Sequence, residues 1–386
     1  MDRARYLVSA RGRSDLASLP PGFGTLDPVR LSSLLRRSHG ADEAAALGEQ
    51  VALRARAAAW SADSGSLLYT AAGLQMMTHP IVAARRALRL AGLGLPVADL
   101  TCGIGGDLAA CAAAGLRAVG LERDGATAIL AACNVPGASV VRGDASRPPF
   151  ELAGSAAIVD PSRRAETGRR FDPAAFSPPW DVALLVAASA RAGALKAPPG
   201  IGRQHLPPGA EVEYVQLGRS MREATIWLGA ETRPGLRRAV LLPGDATLDS
   251  ECPEEAAGPV PPGPFMFDPE SCVTLAGLVR HLAYRLGARL LDEQVAYLTG
   301  PEAVLDPLCA TFETLDVIPF SVERVKERLR QRGWTPAEIR RRAFPIEPDE
   351  LRRLVGRHKG EPVTLLCTTL SGSRTVIVGR RVSPGG

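Results

Sequence analysis

Three glycines, Gly103, Gly105 and Gly106, stand between an apolar run that begins at Val97 and an Ala-rich segment at residues 108–114. Glycines at a turn between a strand and a helix let the backbone approach a ligand that a Cβ atom would exclude. The free N–H groups and the positive dipole end of the following helix would attract a polar part of that ligand. Such a turn can also be purely structural, so the neighbouring acidic residues must decide whether it predicts a binding site.

Acidic residues stand at the ends of four predicted strands: Asp99, Glu122, Asp144 and Asp160. Glu122 lies 23 residues after Asp99, close to the spacing at which an acid meets a ribose in nucleotide-binding folds. In an open α/β sheet the ligand crevice lies at the carboxyl ends of the strands, where all four acids are expected. One acidic residue at the end of a strand is more often a solvated loop residue. Four such residues at the same edge of the sheet predict a cofactor pocket.

The loop Asp99-Leu-Thr-Cys-Gly-Ile-Gly105 resembles the D-x-x-x-G-x-G loop of class I S-adenosylmethionine (SAM) methyltransferases. A dinucleotide fingerprint would require a glycine three residues after Gly105, where this chain has Leu108. Residues 75–80 are similar to the entry segment that lies over the methionine-side atoms of SAM in such enzymes, and His79 there is expected to start a helix rather than act as a base. The resemblance implies SAM as cofactor and the following binding residues: Gln75, Thr78, Asp99, Cys102, Gly103, Gly105, Gly106, Asp107, Glu122, Arg123, Asp144 and Ala145.

The run Asp160-Pro161-Ser162-Arg163-Arg164 occupies the place where the substrate of a Rossmann-like methyltransferase meets the methyl group. Enzymes that methylate amino groups commonly carry Asp/Asn-Pro-Pro followed by an aromatic residue there. This chain keeps Asp160 and Pro161 but has Ser and Arg in the last two places, which argues against methylation of a base nitrogen. We predict Asp160 and Pro161 as catalytic residues, together with Lys196, which follows another predicted strand and could reach the same pocket.

A second run, Ser177-Pro-Pro-Trp180, is similar to the amine-binding tetrapeptide but lies 17 residues after Asp160 and lacks the acid. We interpret it as the start of the next helix, with Trp180 able to line the pocket. Arg163, Arg164 and Arg170 belong to an arginine-rich loop that could contact phosphate or simply be solvated. Carbon methylation through a cysteine nucleophile is not favoured, because Cys102 sits inside the cofactor loop and no other Cys is placed for the role.

These residues need a scaffold, and the hydrophobic pattern predicts one. Helices are expected near residues 31–37, 44–60 and 81–90, where Ala, Leu and Arg recur at helical spacing. Strands and helices then alternate, and closely spaced strands at 211–217 and 223–228 indicate an antiparallel edge. The last part of the chain shows the order β-α-β-α-β-β, which is typical of a small α+β domain.

Residues 321–386 hold 15 Lys and Arg against 7 Asp and Glu, a net charge of +8, whereas the whole chain of 386 residues carries +5. A basic excess in one small domain predicts a polyanionic partner, and a solubilising surface explains it equally well. Arg340 and Arg342 alternate with Arg341 on a predicted strand at 339–346, so the first two share one face. They are candidates for substrate contact.

Seven cysteines without a C-x-x-C pair or a Cys/His cluster indicate reduced thiols in a cytoplasmic protein and argue against a metal site. Neither a long apolar run nor a charged-then-apolar leader is present, so neither a membrane span nor secretion is expected.

Taken as a set, the glycine loop, the Asp160 and Ser177 runs, Gly168-Arg-Arg170 and Lys196-Ala-Pro-Pro-Gly200 resemble the bacterial methyltransferases with a C-terminal THUMP-like domain. The resemblance implies an α/β fold with a Rossmann-like class I methyltransferase sheet, an N-terminal helical extension and a small C-terminal α+β domain similar to RNA-binding domains of tRNA-modifying enzymes. The predicted domains are an N-terminal helical region (1–90), a SAM-dependent methyltransferase domain (91–250), a linker and helical connector (251–311) and a THUMP-like domain (312–386).

The predicted function is SAM-dependent methylation of structured RNA, either tRNA or rRNA. Two alternatives stay open at this point. The first is a small-molecule methyltransferase whose C-terminal domain covers the pocket as a lid. The second is a non-catalytic protein that binds SAM or RNA.

Overall fold

The computed structural model describes residues 3–59, 65–163, 172–356 and 359–383. The chain divides into two compact units. The first unit comprises Met1–Glu211 and Ala224–Pro234, and the second comprises Val212–Glu223 and Gly235–Gly386.

The N-terminal part of the first unit is helical, as predicted. Its helices are α1 (Arg3–Val8), α2 (Ala10–Ala17), α3 (Pro28–Leu35), α4 (Ala41–Ala57), α5 (Ala71–Met76) and α6 (Pro80–Ala91). His79 caps the start of α6, because its ring Nδ1 accepts a hydrogen bond from the Ile81 N–H at 3.3 Å. Pro80 fits the first helical position because it has no N–H to satisfy. Leucines and alanines of α1 to α4 form one buried core with Leu130 of the following domain.

An open sheet follows these helices. Its strands β1 (Val97–Asp99), β2 (Ala118–Glu122), β3 (Ser139–Arg142) and β4 (Ala156–Val159) are parallel, and they alternate with helices α7 (Gly106–Ala113) and α8 (Gly125–Asn134). A short antiparallel pair, β5 (Ser162–Arg163) and β6 (Phe176–Ser177), precedes α9 (Trp180–Ser189) and β7 (Ala192–Ala197). All four residues of β4 are buried and apolar, as expected for a strand covered on both faces.

The strand order in this unit is β3-β2-β1-β4-β7, and residues 224–228 pair with β7 in the antiparallel direction. The chain therefore builds outward from β1 to β3 and then returns to place β4 on the other side of β1. Ligands of open α/β sheets bind at such a reversal, beyond the carboxyl ends of the strands. This topology brings the ends of β1, β2 and β4 together.

The second unit contains two groups of strands. In the first group, β8 (Glu211–Leu217) is parallel to β10 (Arg237–Leu242), which pairs antiparallel with β11 (Ala246–Asp249), and β9 (Ser220–Leu228) carries the chain between the two units. The second group forms a sheet with the order β13-β14-β12-β15-β18-β17-β16. Its elements are β12 (Phe265–Pro269), α10 (Ser271–Ala276), α11 (Val279–Leu286), β13 (Arg289–Asp292), β14 (Val295–Gly300), β15 (Cys309–Pro319), α12 (Val322–Arg332), β16 (Trp334–Arg342), α13 (Pro348–Val355), β17 (Glu361–Leu370) and β18 (Ser373–Arg381).

The C-terminal order β-α-β-α-β-β from β15 to β18 confirms the prediction. Ser321 caps α12, because its hydroxyl accepts the Arg324 N–H at 3.2 Å. Val325 and Leu329 of α12 are fully buried and join Leu351 and Val355 of α13 in one core against the sheet. Neighbouring residues of β17 face the other side of the sheet, where Leu366 packs in a second core.

Two sequence expectations for the second unit need correction. The interpretation of residues 251–311 as linker and helical connector does not account for β12, β13 and β14, which lie in that range beside α10 and α11 and belong to the C-terminal sheet. The strand expected at 339–346 is instead β16 (Trp334–Arg342), which ends before Ala343 because that residue has a positive φ of 49°. None of the described helices combines the length and the apolar character that crossing a membrane requires.

Candidate active site

A cavity of about 490 Å³ lies at the carboxyl ends of β1, β2, β3 and β4. Most of the residues predicted to bind the cofactor line it: Thr78, Cys102, Gly103, Gly106, Asp107, Glu122, Arg123, Asp144 and Ala145. Asp160 and Ser162 line the same cavity, with Ser177 and Pro178 from the second run. Three predicted cofactor residues, Gln75, Asp99 and Gly105, are not among its lining residues.

The carboxylate of Glu122 is held at the end of β2 by two backbone groups. The Gly103 N–H donates to its Oε2 at 3.1 Å, and the Asp124 N–H donates to its Oε1 at 2.8 Å. Glu122 therefore ties the glycine turn to the start of α8 while its side chain faces the cavity. Each carboxylate oxygen keeps a free lone pair, so Glu122 can still accept hydrogen bonds from a pair of hydroxyls.

The glycines of the turn serve different purposes. Gly103 has a φ of +54° and lines the cavity, and a Cβ atom there would have no protein atom within 4 Å. Gly105 has a φ of +97°, and a Cβ atom there would lie 2.8 Å from Cγ2 of Val135 on the side of α8. Gly105 is therefore required by backbone conformation and helix packing, whereas Gly103 is the glycine that leaves room for a ligand.

Four charged side chains meet beside the cavity, and we call them the charged cluster: Arg86, Asp107, Lys196 and Asp160. The Asp107 carboxylate pairs with the Arg86 guanidinium through Oδ1, and through Oδ2 with Lys196 Nζ at 3.3 Å. The Thr78 hydroxyl donates to the same Oδ2 at 2.5 Å. Burial by itself would raise the pKa of Asp107, but the positive charges of Arg86 and Lys196 outweigh it and lower that pKa to about 2.

Lys196 links this cluster to Asp160. It stands in β7, beside β4 in the sheet, and its ammonium group binds the Asp160 carboxylate directly. The backbone N–H of Asp160 donates to the Thr101 hydroxyl at 2.6 Å, which fixes the start of the loop. The Lys196 side chain is only 8% exposed, whereas that of Asp160 is 38% exposed, so Asp160 is the member of the pair that faces the cavity. Pro161 is buried next to Asp160 and does not line the cavity.

Arg86 was missed by the sequence analysis. It lies on α6, and its side chain is 3% exposed among the buried residues Val82, Ala83, Ala87 and Leu90 of the same helix. A charged residue inside an apolar helical stripe was the available signal, because such a residue is rarely buried without a partner.

Cys102 lines the cavity but is a poor nucleophile. Burial, together with the negative charge of Asp99, raises the pKa of its thiol well above the ordinary value. The reactive form of cysteine is the thiolate, so this environment keeps the side chain inert.

Asp99 is buried beneath the turn, where its carboxylate accepts the Thr101 N–H at 3.4 Å. Burial, assisted by the negative charge of Asp107, raises its pKa to about 8. The folded chain thus keeps this proton at pH values where the unfolded chain has released it, and stability falls as the pH rises from the ordinary carboxyl pKa towards 8.

We expect Asp99→Asn to remove this dependence, because asparagine is neutral at every pH. The stability of the variant relative to the wild type should increase between about pH 5 and about pH 8, as measured by urea unfolding at both values. The same difference in unfolding free energy at the two pH values would contradict a protonated Asp99.

The predicted substrate residues that follow β4 in the chain are Arg163, Arg164, Arg170 and Trp180. Arg164 and Arg170 lie outside the described residues, and of Arg163 only the backbone pairing with Phe176 is described. Trp180 is buried and does not line the cavity, because its indole N–H donates to the His205 carbonyl at 3.3 Å and its ring packs 5.7 Å from that of Phe176. Ser177 lines the cavity in its place and accepts a hydrogen bond from Arg123 at 3.2 Å.

Arg340 and Arg342, which were predicted to contact substrate, both bind a carboxylate inside the second unit. They share one face of β16, as expected, but that face is turned towards the buried Asp268. Each guanidinium lies 2.7 Å from one oxygen of this carboxylate, and Arg342 also donates to the Pro269 carbonyl at 2.6 Å. Their charge is therefore used to hold β16 to the end of β12.

Within residues 3–59, 65–163, 172–356 and 359–383, no group of three or more His, Cys, Asp or Glu side chains could hold a metal ion.

Comparison with known proteins adds to this geometry. Residues 309–381 match the family model described as THUMP domain-like. Two uncharacterised S-adenosylmethionine-dependent methyltransferases, from two strains of Mycobacterium tuberculosis, are 33% identical to this chain over 349 residues, which is 86% of this chain and 95% of each relative. A crystal structure of a candidate methyltransferase from Porphyromonas gingivalis is similar with a TM-score of 0.76, 22% identity, and coverage of 93% of this chain and 96% of that one. The predicted Rossmann-like fold with a THUMP-like C-terminal part is confirmed.

Proposed function

Because this chain belongs to the S-adenosylmethionine-dependent methyltransferases, we propose that it methylates structured RNA, either tRNA or rRNA. SAM is the cofactor, and when bound it supplies an electrophilic methyl group. The observation that carries the RNA proposal is a strongly basic, exposed helix in the THUMP-like region, α12.

The residues around the cavity fit the cofactor. Gly103 leaves open space beside the turn, and the Glu122 carboxylate has free lone pairs for the ribose hydroxyls. Asp144 is fixed by the Ser146 N–H at 2.8 Å at the end of β3, where it can contact the nucleobase end. We therefore propose the predicted residues that line the cavity as the cofactor site, and Asp160 as the residue that faces the group to be methylated.

Glu122→Ala is expected to weaken SAM binding by about 1.5–3 kcal/mol, the usual contribution of hydrogen bonds to a charged group. Titration calorimetry on the purified protein measures this. Glu151→Ala is a suitable control, since Glu151 is exposed and does not line the cavity. Equal affinity of the two variants would remove Glu122 from the cofactor site, and a thermal melt of each would reveal any loosening of the glycine turn.

We propose that the RNA partner binds to α12. This helix carries Arg324, Lys326, Arg328, Arg330 and Arg332 against Glu323 and Glu327, a net charge of +3. Arg328 pairs with Asp316 at 2.8 Å, whereas Arg324, Arg330 and Arg332 are exposed. Lys326 and Arg330 are four residues apart and so lie on one face. Since Arg340 and Arg342 are paired internally, the phosphate contacts are assigned to the helix rather than to β16.

Replacing Lys326 and Arg330 together with glutamine should weaken RNA binding to a similar degree for all RNA sequences. The slope of log affinity against log salt should become shallower by about one unit per lost phosphate contact. The control is Arg30→Gln with Arg37→Gln, which changes the net charge equally at exposed positions in α3 and in the turn that follows it. Equal RNA affinity and equal salt slopes for both double variants would contradict the assignment to α12.

The proposed function is tested with SAM carrying a labelled methyl group and RNA from a strain that lacks this gene. Label in tRNA or rRNA supports the proposal. Label that appears only in small molecules would favour a small-molecule methyltransferase, and binding of SAM without turnover would favour a non-catalytic protein. We place the activity in the cytoplasm, because all seven cysteines are free and reducing compartments keep thiols in that state.

A further inference from the structure

We infer that the methyl acceptor is a hydroxyl oxygen, and within an RNA chain therefore the ribose 2′-hydroxyl. The Asp160 carboxylate accepts the proton, and Lys196 positions that carboxylate. The choice of RNA rests on the proposed function. The choice of oxygen rests on the chemistry of the Asp160 end of the cavity.

The first argument concerns the walls of the cavity. Enzymes that methylate a base hold it between aromatic or apolar side chains after it leaves the stack. Among the described residues that line this cavity, none has an aromatic ring. Trp180, the aromatic residue that was predicted to line the pocket, is buried, and its indole N–H donates to the His205 carbonyl. Hydroxyl side chains that suit a sugar, including those of Thr101 and Ser162, line the cavity together with Asp160, beside apolar residues such as Leu100 and Pro178.

The second argument concerns the protonation state of Lys196. Its Nζ atom contacts at least three acceptors: the Asp160 carboxylate, Asp107 Oδ2 at 3.3 Å and the Thr78 hydroxyl at 2.6 Å. An ammonium group has three N–H donors, whereas a neutral amine has two. Two of the acceptors are carboxylates, which stabilise the charged form further. Lys196 is therefore the cation of the pair, and the available proton acceptor is Asp160.

The third argument is the need for such an acceptor. An amine nitrogen attacks with its lone pair and can lose a proton to water afterwards. A hydroxyl oxygen is a much weaker nucleophile, so its proton must leave as the new bond forms. The hydroxyl oxygen forms the new C–O bond, the C–S bond breaks with its electron pair going to sulfur, and the proton goes to Asp160. Lys196 holds that carboxylate in place, and the Thr101 hydroxyl accepts the backbone N–H of Asp160.

Alkaline hydrolysis of the labelled RNA tests the acceptor. A 2′-O-methyl group blocks cleavage of the adjacent phosphodiester, so the label should appear in alkali-resistant dinucleotides. Label in mononucleotides would overturn the inference while leaving the proposed function intact. Label in no RNA at all would instead overturn the proposed function, so the two failures are distinguishable.

Variants of Lys196 test its positioning role. Lys196→Met should lower kcat by about 100-fold or more, within the range for a displaced general base, while leaving the calorimetric Kd for SAM nearly unchanged. Lys196→Arg keeps the positive charge and should recover a substantial part of kcat. An unchanged kcat, or a change confined to the Kd for SAM, would overturn the role. If Lys196→Met fails to fold, a Lys196→Arg variant with kcat no better than that of Asp160→Asn would overturn it equally.

Discussion

Asp107→Ala is expected to lower the free energy of unfolding by about 3–5 kcal/mol, the cost of removing one partner from a buried ion pair. Asp107 is the anion that faces both buried cations of the charged cluster, Arg86 and Lys196. Alanine would leave the Arg86 guanidinium, which is 3% exposed, without this carboxylate. Typical domains unfold with only about 5–15 kcal/mol, so the loss is a large share of the total.

Urea unfolding at neutral pH, without cofactor, measures this effect. Asp181→Ala is a closely matched control, because Asp181 is also the second residue of its helix but is exposed. The two substitutions remove the same interaction with a helix dipole, so their difference reports the buried pairing. A loss below about 1 kcal/mol for Asp107→Ala, similar to that of the control, would show that Asp107 does not stabilise the cluster.

The strands of the first sheet could be predicted from the sequence because each contains a short apolar run. Ala118–Glu122, Ser139–Arg142 and Ala156–Val159 all match their predicted bounds, and the last of them is buried throughout. Parallel strands covered by helices show such continuous runs. The acids that follow these strands could be assigned to a common crevice for the same reason, since sheet topology brings their ends together.

The partners of the buried charges could not be predicted in this way. Asp107 meets Arg86 and Lys196, which are 21 and 89 residues away in the chain. Arg340 meets Asp268 across 72 residues. A local pattern shows an arginine on a strand, but only the fold shows whether its face is turned to solvent or to a carboxylate. Charge counted along the sequence therefore overestimated the basic surface of the C-terminal domain.

The strands β12 and β13 were not predicted, for a different reason. They follow a Pro- and Gly-rich stretch at residues 252–264 and are short, with β13 only four residues long. β12 pairs with β15 and β13 pairs with β14, and both partners follow them in the chain. Short strands that are stabilised by later partners have little periodic signal of their own.

Asp160→Asn is expected to reduce kcat by about 100-fold to 10,000-fold, the contribution usually made by a general base. Asparagine has nearly the same shape and can still accept a hydrogen bond from Lys196, but it cannot take up the proton of the acceptor hydroxyl. Binding of SAM should remain nearly intact, because the proposed partner of Asp160 is the substrate. Single-turnover assays with labelled SAM give the rate, and titration calorimetry gives the affinity.

The exposed carboxylate Asp181 again provides the control, since Asp181→Asn removes one negative charge away from the cavity and should leave both quantities unchanged. The result that would contradict the assignment is the reverse pattern. If Asp160→Asn abolished SAM binding while methyl transfer survived at saturating cofactor, Asp160 would belong to the cofactor site. The 38% exposed carboxylate at the end of β4 would then hold the cofactor rather than face the methyl acceptor. The end of the cavity assigned to the cofactor and the end assigned to the substrate would have to be reversed.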